Sequence, residues 1–150
     1  MKAVFVLGIM LACTSLTSCH DSCRRHGVNG CSTPFSMPFF YKRRFTHACN
    51  RHDVCYRCGH VFGISRDDCD SAFLDAMKQS CRSLRKRRAT DDMGGHNIEK
   101  RGLHRSMCDL FALGYHTVVK TFAESDYRAP SMPFCGQLEW VIPCLPQRHV

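Results

Sequence analysis

The sequence predicts a small, mainly α-helical, disulfide-rich fold with long cross-linked loops. Three observations carry this. Twelve of the 150 residues are cysteine, a density rare in cytosolic chains and usual in small secreted domains stapled by disulfides. Apolar residues recur at the 3.6-residue period in three separate stretches. The prolines lie outside those stretches, within residues 20–45 and 126–150, which read as loops pinned by cysteines.

The amino terminus comes first. Lys2 precedes an apolar run from Ala3 to Ala12, too short to span a bilayer, and the small residues Thr14, Ser15, Thr17 and Ser18 follow. This is the pattern of a cleaved secretory signal; a membrane anchor is the alternative. Nothing later resembles a transmembrane helix. Cysteine parity places the cut. Removing Cys13 and Cys19 leaves ten cysteines, which can all pair, so residues 1–19 are the expected signal and His20 the first mature residue.

A first helix is expected from Thr46 to about Val61, ending near Gly59 or Gly63. A second starts at Ser65, with Asp68 three residues on as its capping-box partner. Its apolar side is Cys69, Ala72, Phe73, Ala76, Met77, Cys81 and Leu84. A third is expected from Arg105 to Phe122, with Met107, Leu110, Phe111, Val118 and Phe122 as its stripe and Gly114 as a point of close packing. Leu138 to Ile142, which contains Trp140, reads as a strand, an apolar rim for lipid contact, or part of the core.

Between the second and third helices the composition changes. Arg85-Lys86-Arg87-Arg88 and Lys100-Arg101 flank a polar, acidic, glycine-bearing, cysteine-free insert. Such an insert cannot bury much and is expected to be disordered. In a secretory chain, residues 85–101 read as an excised propeptide; an ordinary surface loop is the alternative. Excision gives an alpha chain, residues 20–84, and a beta chain, residues 102–150. The first holds seven cysteines and the second three. Both counts are odd, so if all pair, at least one disulfide must join the chains. Counting does not give the full pairing.

The chemistry concentrates in Cys49-Asn50-Arg51-His52-Asp53-Val54-Cys55-Tyr56. On a helix, Cys49, His52 and Cys55/Tyr56 share one face, while Asp53 points about 100° away. His52 can accept a proton from water near neutral pH, provided a partner fixes its tautomer. The second helix offers Asp67, Asp68, Asp70 and Asp75. Asp70 is chosen, because it follows Cys69, whose disulfide would bring that turn to the first helix; Asp75 is its rival. Asp53 suits a hard cation. Calcium takes oxygen ligands, many of them backbone carbonyls, and the turn-forming stretch from Gly27 to Pro34 is the nearest flexible source, with Asn29 and Gly30 at its centre.

These residues resemble the C-x-x-H-D signature of secreted phospholipases A2. The C-x-R-H-D-x-x-Y form behind a Gly-Cys-Ser loop is most similar to the bacterial and fungal branch. The Cys-rich precursor with an excisable middle resembles conodipine, the two-chain phospholipase of cone-snail venom. The resemblance is strong over residues 27–81. Over 102–150 it rests on cysteine placement and precursor layout. It implies a phospholipase A2-like helical fold and a secreted, calcium-dependent enzyme that cleaves the sn-2 ester of glycerophospholipids. His52 would be the base, Asp70 its orienting acid, and Asp53, Gly30 and Asn29 the calcium ligands. Cys69-Asp70 resembles the family's second-helix Cys-Asp. One departure stands out: the bacterial-type loop reads Asp-Gly-Cys, whereas here it is Asn29-Gly30-Cys31, which lacks a charge.

The net charge of +8 and a pI near 9.0 point to an anionic phospholipid surface as partner. Nucleic acid is not expected, since basic residues do not interleave with aromatics and no nucleic-acid motif occurs. Phe35, Met37, Phe39, Phe40 and Tyr41 form an apolar stretch that could border a lipid channel. Tyr56 reads equally as a site residue or as core, and His47 and His60 as solvent-facing. Cys55-x-x-Cys58 beside His52 and His60 could suggest zinc, but disulfides suit a secreted chain better. From another class, the rival function is an inactive phospholipase scaffold that acts as a channel or receptor ligand; a hormone-like precursor is a third reading.

Overall fold

The computed structural model describes residues 21–24, 27–32, 38–86 and 98–147. The signal segment and most of the insert lie outside these residues, as do Phe35 and Met37 of the aromatic stretch. The elements are α1 (Lys42–Cys58), α2 (Arg66–Lys86), α3 (Ile98–Phe122), α4 (Glu124–Arg128) and α5 (Leu138–Val141), with short 3₁₀ turns at Gly59–Phe62, Pro133–Gly136 and Ile142–Cys144. Among the described residues there is no β-strand, so the mainly helical class holds.

α1 begins at Lys42, ahead of the expected Thr46. The Thr46 hydroxyl donates to the Lys42 carbonyl one turn back, as an interior threonine does, so it is no cap. The entry is instead made by Tyr41, whose left-handed backbone (φ 58°) leaves its carbonyl to accept from the amides of Arg44 and Phe45. Starting there turns Phe45 inward, where it is fully buried. The helix passes into the 3₁₀ turn and stops at Gly63, in the left-handed region at φ 64°. α2 starts as its capping box predicts. The Ser65 amide donates to Asp68 Oδ2 (3.0 Å) and the Asp68 amide donates to Ser65 Oγ (3.1 Å).

The three long helices run up, down and up. Arg44 at the start of α1 donates to the Ser80 carbonyl near the end of α2, while Cys55 and Cys69 join the opposite ends by a disulfide. Cys81 near the end of α2 bonds Cys108 in the first half of α3, and Arg66 at the start of α2 reaches the Val119 carbonyl near the end of α3. Phe45, Phe73 and Met77 form the core between these helices. A second core holds Val54, Tyr56, Val141 and Leu145 between α1 and the carboxyl-terminal segment.

α3 differs from expectation in three ways. It begins at Ile98, within the insert read as disordered, and it runs through Lys100 and Arg101. Its buried face carries Cys108 and Ala112, flanked by Phe111, Tyr115 and Val119, whereas Met107, Leu110 and Phe122 of the expected stripe are exposed. The Cys81–Cys108 disulfide selects that face. Finally, a Cβ at Gly114 would meet nothing within 4 Å, so no close packing occurs there. The tail read as loop is also largely helical in short turns, and Leu138–Val141 is one helical turn rather than a strand. Trp140 packs against Phe134, with ring centroids 5.3 Å apart.

Five disulfides tie this frame: Cys23–Cys144, Cys31–Cys49, Cys55–Cys69, Cys58–Cys135 and Cys81–Cys108. The core is small, so each bridge, at about 2–4 kcal/mol, is a large part of the net stability.

Candidate active site

The Cys55–Cys69 disulfide lies three residues after His52 and one before Asp70, and it sets the two side chains face to face. His52 Nε2 is 3.0 Å from Asp70 Oδ1. The Tyr56 hydroxyl donates to the same oxygen at 2.7 Å. Asp70 is fully buried, and its Oδ2 faces Arg66 Nε at 3.6 Å. The rival acid, Asp75, is exposed. The His52 ring stacks on Phe73 with centroids 4.5 Å apart, which fixes its plane.

Burial pulls the His52 imidazole below its ordinary value, and the hydrogen bond and charge of Asp70 only partly restore it; His116 lowers it further. The ring is therefore neutral at physiological pH. Burial alone would raise the Asp70 carboxyl, yet the hydrogen bonds of His52 and Tyr56 and the Arg66 charge bring it below the usual range. An ionised Asp70 accepts from His52 Nε2–H, which leaves Nδ1 as the basic nitrogen.

Asp53 points about 100° round α1 from His52 and meets the loop. Its Oδ2 accepts from the Asn29 amide (3.0 Å) and the Gly30 amide (2.7 Å). The Cys31–Cys49 disulfide pins that loop to α1. Gly27 and Gly30 sit at φ 90° and 68°, where glycine is favoured. The Asn29 side-chain oxygen accepts from Ser32 Oγ (3.4 Å), and the Gly30 carbonyl accepts from the Ser32 amide (2.9 Å). The loop thus offers Asp53 its N–H groups.

Asp53 is raised to about 7, chiefly by burial, against the Gly30 and Asn29 amides and Arg57; Asp126 raises it further. Asp53 and Asp126 both line the cavity, and carboxylate oxygens are the donor type that a hard cation takes. Oδ1 of Asp53 makes no hydrogen bond among the described residues. Among the described residues no three His, Cys, Asp or Glu side chains gather as a metal cage, so any calcium would rely on backbone oxygens and water. Cys55 and Cys58 are both in disulfides, which ends the zinc reading. His47 bonds Asp21 at 2.9 Å and His60 contacts Ser131 Oγ at 3.0 Å; neither joins the site.

A cavity of about 340 Å³ opens over both groups. Its lining combines polar side chains, among them His52, Asp53 and Asp126, with an apolar wall from α3 that includes Tyr115, Val119 and Phe122. Sequence reasoning missed Arg66, Asp126 and this α3 wall. Only the spacing of Tyr115, Val119 and Phe122 on one helical face could have signalled the wall.

Two curated conodipines of Conus purpurascens, P3 and P1, are each 49% identical to this chain over 70 residues, 47% of its length and 38% of theirs. The Conodipine-M alpha chain of Conus magus is 46% identical over 67 residues, 44% of this chain and 78% of that relative. The chain belongs to the conodipine family. The chain matches only 38% of the length of the conodipines of Conus purpurascens. No family model and no solved structure matches it. His52 and Asp53 thus line one cavity, and Asp70 stands behind His52 on the disulfide-joined second helix.

Proposed function

We propose that this protein is a calcium-dependent phospholipase A2, secreted as a venom component, that hydrolyses the sn-2 ester of glycerophospholipids. The observation that carries the reading is the neutral His52 ring, held by Asp70 at 3.0 Å, at a half-apolar cavity beside Asp53. Membership of a cone-snail family supports the venom setting.

His52 Nδ1 takes a proton from a water molecule, which attacks the ester carbonyl carbon. Asp70 fixes the tautomer and opposes the positive charge that His52 gains. The protonated ring then returns the proton to the leaving alkoxide. Tyr115, Val119 and Phe122 contact the acyl chain and exclude water from it. Asp53, with the Gly30 and Asn29 loop, would hold calcium. When bound, calcium supplies positive charge against the oxyanion that develops on the carbonyl.

The test is release of fatty acid from anionic phospholipid vesicles, with calcium and with chelator. Wild type should be active only with calcium, and His52→Gln should lose at least about 100-fold in rate. Activity insensitive to chelator, or unchanged in His52→Gln, would overturn the mechanism. One observation favours a second reading. The loop turns amides rather than carbonyls to Asp53, and Asn29 lacks the charge of the bacterial-type loop. A scaffold that binds calcium weakly and acts as a channel or receptor ligand fits this. Target binding by a protein that hydrolyses nothing at millimolar calcium would favour it.

A further inference from the structure

Arg66 opens α2 one turn before Asp70, yet it contacts both halves of the protein. On one side its Nε faces Asp70 Oδ2 at 3.6 Å. That oxygen is fully buried and has no hydrogen-bond partner among the described residues. Arg66 also lies close enough to the Tyr56 hydroxyl for the two groups to shift each other. On the other side, Nη2 donates to the Val119 carbonyl at 3.4 Å and to the Lys120 carbonyl, and Nη1 stands 3.5 Å from Glu124 Oε2.

The two oxygens of Asp70 are unequal. Oδ1 receives His52 and Tyr56, while Oδ2 has only Arg66. A buried carboxylate with one oxygen unopposed is costly, and it relieves that cost by rotating or by taking a proton. Either response would spoil the acceptor that orients His52. Arg66 prevents both by placing a permanent charge at Oδ2, since a guanidinium does not titrate in this range. Its own position is fixed by the last carbonyls of α3, which favour a cation through the helix dipole, and by Glu124.

We propose that Arg66 is the positioning residue of the His52–Asp70 pair, and that the end of α3 and Glu124 hold Arg66 in place for that role. The catalytic pair of one segment is therefore completed by a contact from the other. This rests on the reading of His52 as the base.

The test uses the full disulfide-bonded protein with Arg66→Met, Arg66→Lys and Glu124→Gln, and two readouts. The first is the low-field proton NMR signal of the His52 N–H that bonds Asp70. The second is calcium-dependent hydrolysis of a monomeric short-chain phospholipid. Arg66→Met should move or broaden the low-field signal. It should also lower kcat about 10- to 100-fold, the size of effect seen for partners of positioned ligands, with KM little changed. Arg66→Lys should recover most of both, and Glu124→Gln should fall between. A signal and kcat unchanged in Arg66→Met, or a loss confined to KM, would overturn the proposal. Should Arg66→Met fail to fold, Glu124→Gln decides alone: its exposed side chain can be changed safely, and an unmoved signal sinks the idea. If wild type hydrolyses nothing, the NMR signal still reads Arg66, and only the hydrolytic reading fails.

Discussion

At the scale of single residues, His52 and Asp53 are neighbours with opposite electrostatic tasks. Burial lowers the His52 imidazole below its ordinary value. A base must be neutral, so the acid limb of the kcat/KM profile should have its midpoint below pH 6.5. The same shift has a stability consequence. The folded form binds its proton less readily than the unfolded chain, so the His52 contribution is complete above pH 6.5 and is lost as pH falls toward the folded value. A pH–rate profile checks the first statement, and a midpoint above pH 7 contradicts it. Asp53 runs the other way. Its carboxyl is raised to about 7, so at pH 8 without calcium its charge opposes folding. Asp53→Asn should then raise stability in chelator by about 1 kcal/mol, discounted for partial exposure, and abolish any calcium-dependent rise in thermal midpoint. Thermal melts at pH 8, with calcium and with chelator, measure both effects; a destabilised variant in chelator refutes the account.

At the scale of elements, the loop from Gly27 to Ser32 delivers two amides to Asp53 and owes its shape to glycine. Gly30 has φ 68°, and a Cβ there would stand 3.2 Å from Asn50 Oδ1. Asn50 cannot easily yield, because it is buried and its Nδ2 donates to Asp21. Gly30→Ala should cost about 1–2 kcal/mol and raise the calcium concentration needed for activity; denaturant melts and calcium titration check this, and a neutral substitution would mean the loop bends freely. That this loop would meet Asp53 was legible from two glycines beside a cysteine. The pairing of α1 with α2 was legible too: the Ser65–Asp68 box fixes where α2 starts, and Cys69 carries Asp70 toward His52. The buried face of α3 was not. Apolar residues occur nearly all round that helix, so periodicity cannot choose a side, and the choice falls to the Cys81–Cys108 bond, which counting cannot assign. Arg66 was hidden for a related reason. A cation at a helix start reads as solvated, and its partners Val119 and Lys120 are more than fifty positions away.

At the scale of the whole molecule, the disulfides divide the chain in a telling way. Cys23–Cys144, Cys58–Cys135 and Cys81–Cys108 all cross from the first segment to the second, while Cys31–Cys49 and Cys55–Cys69 close within the first. Cutting the backbone at Arg85–Arg88 and Lys100–Arg101 would therefore leave the two segments joined by these three bridges. The mature protein should give one mass before reduction and two after it, with neither piece containing residues 85–101. A single reduced mass spanning that insert excludes the two-chain form. The division of labour then makes a sharper prediction. The first segment holds His52, Asp53 and Asp70, but the second supplies the Tyr115–Phe122 wall of the cavity and the carbonyls that hold Arg66. Covalent completeness of the catalytic groups is thus not enough. Residues 20–84, freed from the second segment with Cys31–Cys49 and Cys55–Cys69 kept intact, should hydrolyse phospholipid at least tenfold more slowly than the linked pair, because water enters the open cavity and Arg66 loses the carbonyls that hold it beside Asp70. Full activity from the isolated first segment would show that the second serves some task other than building the site.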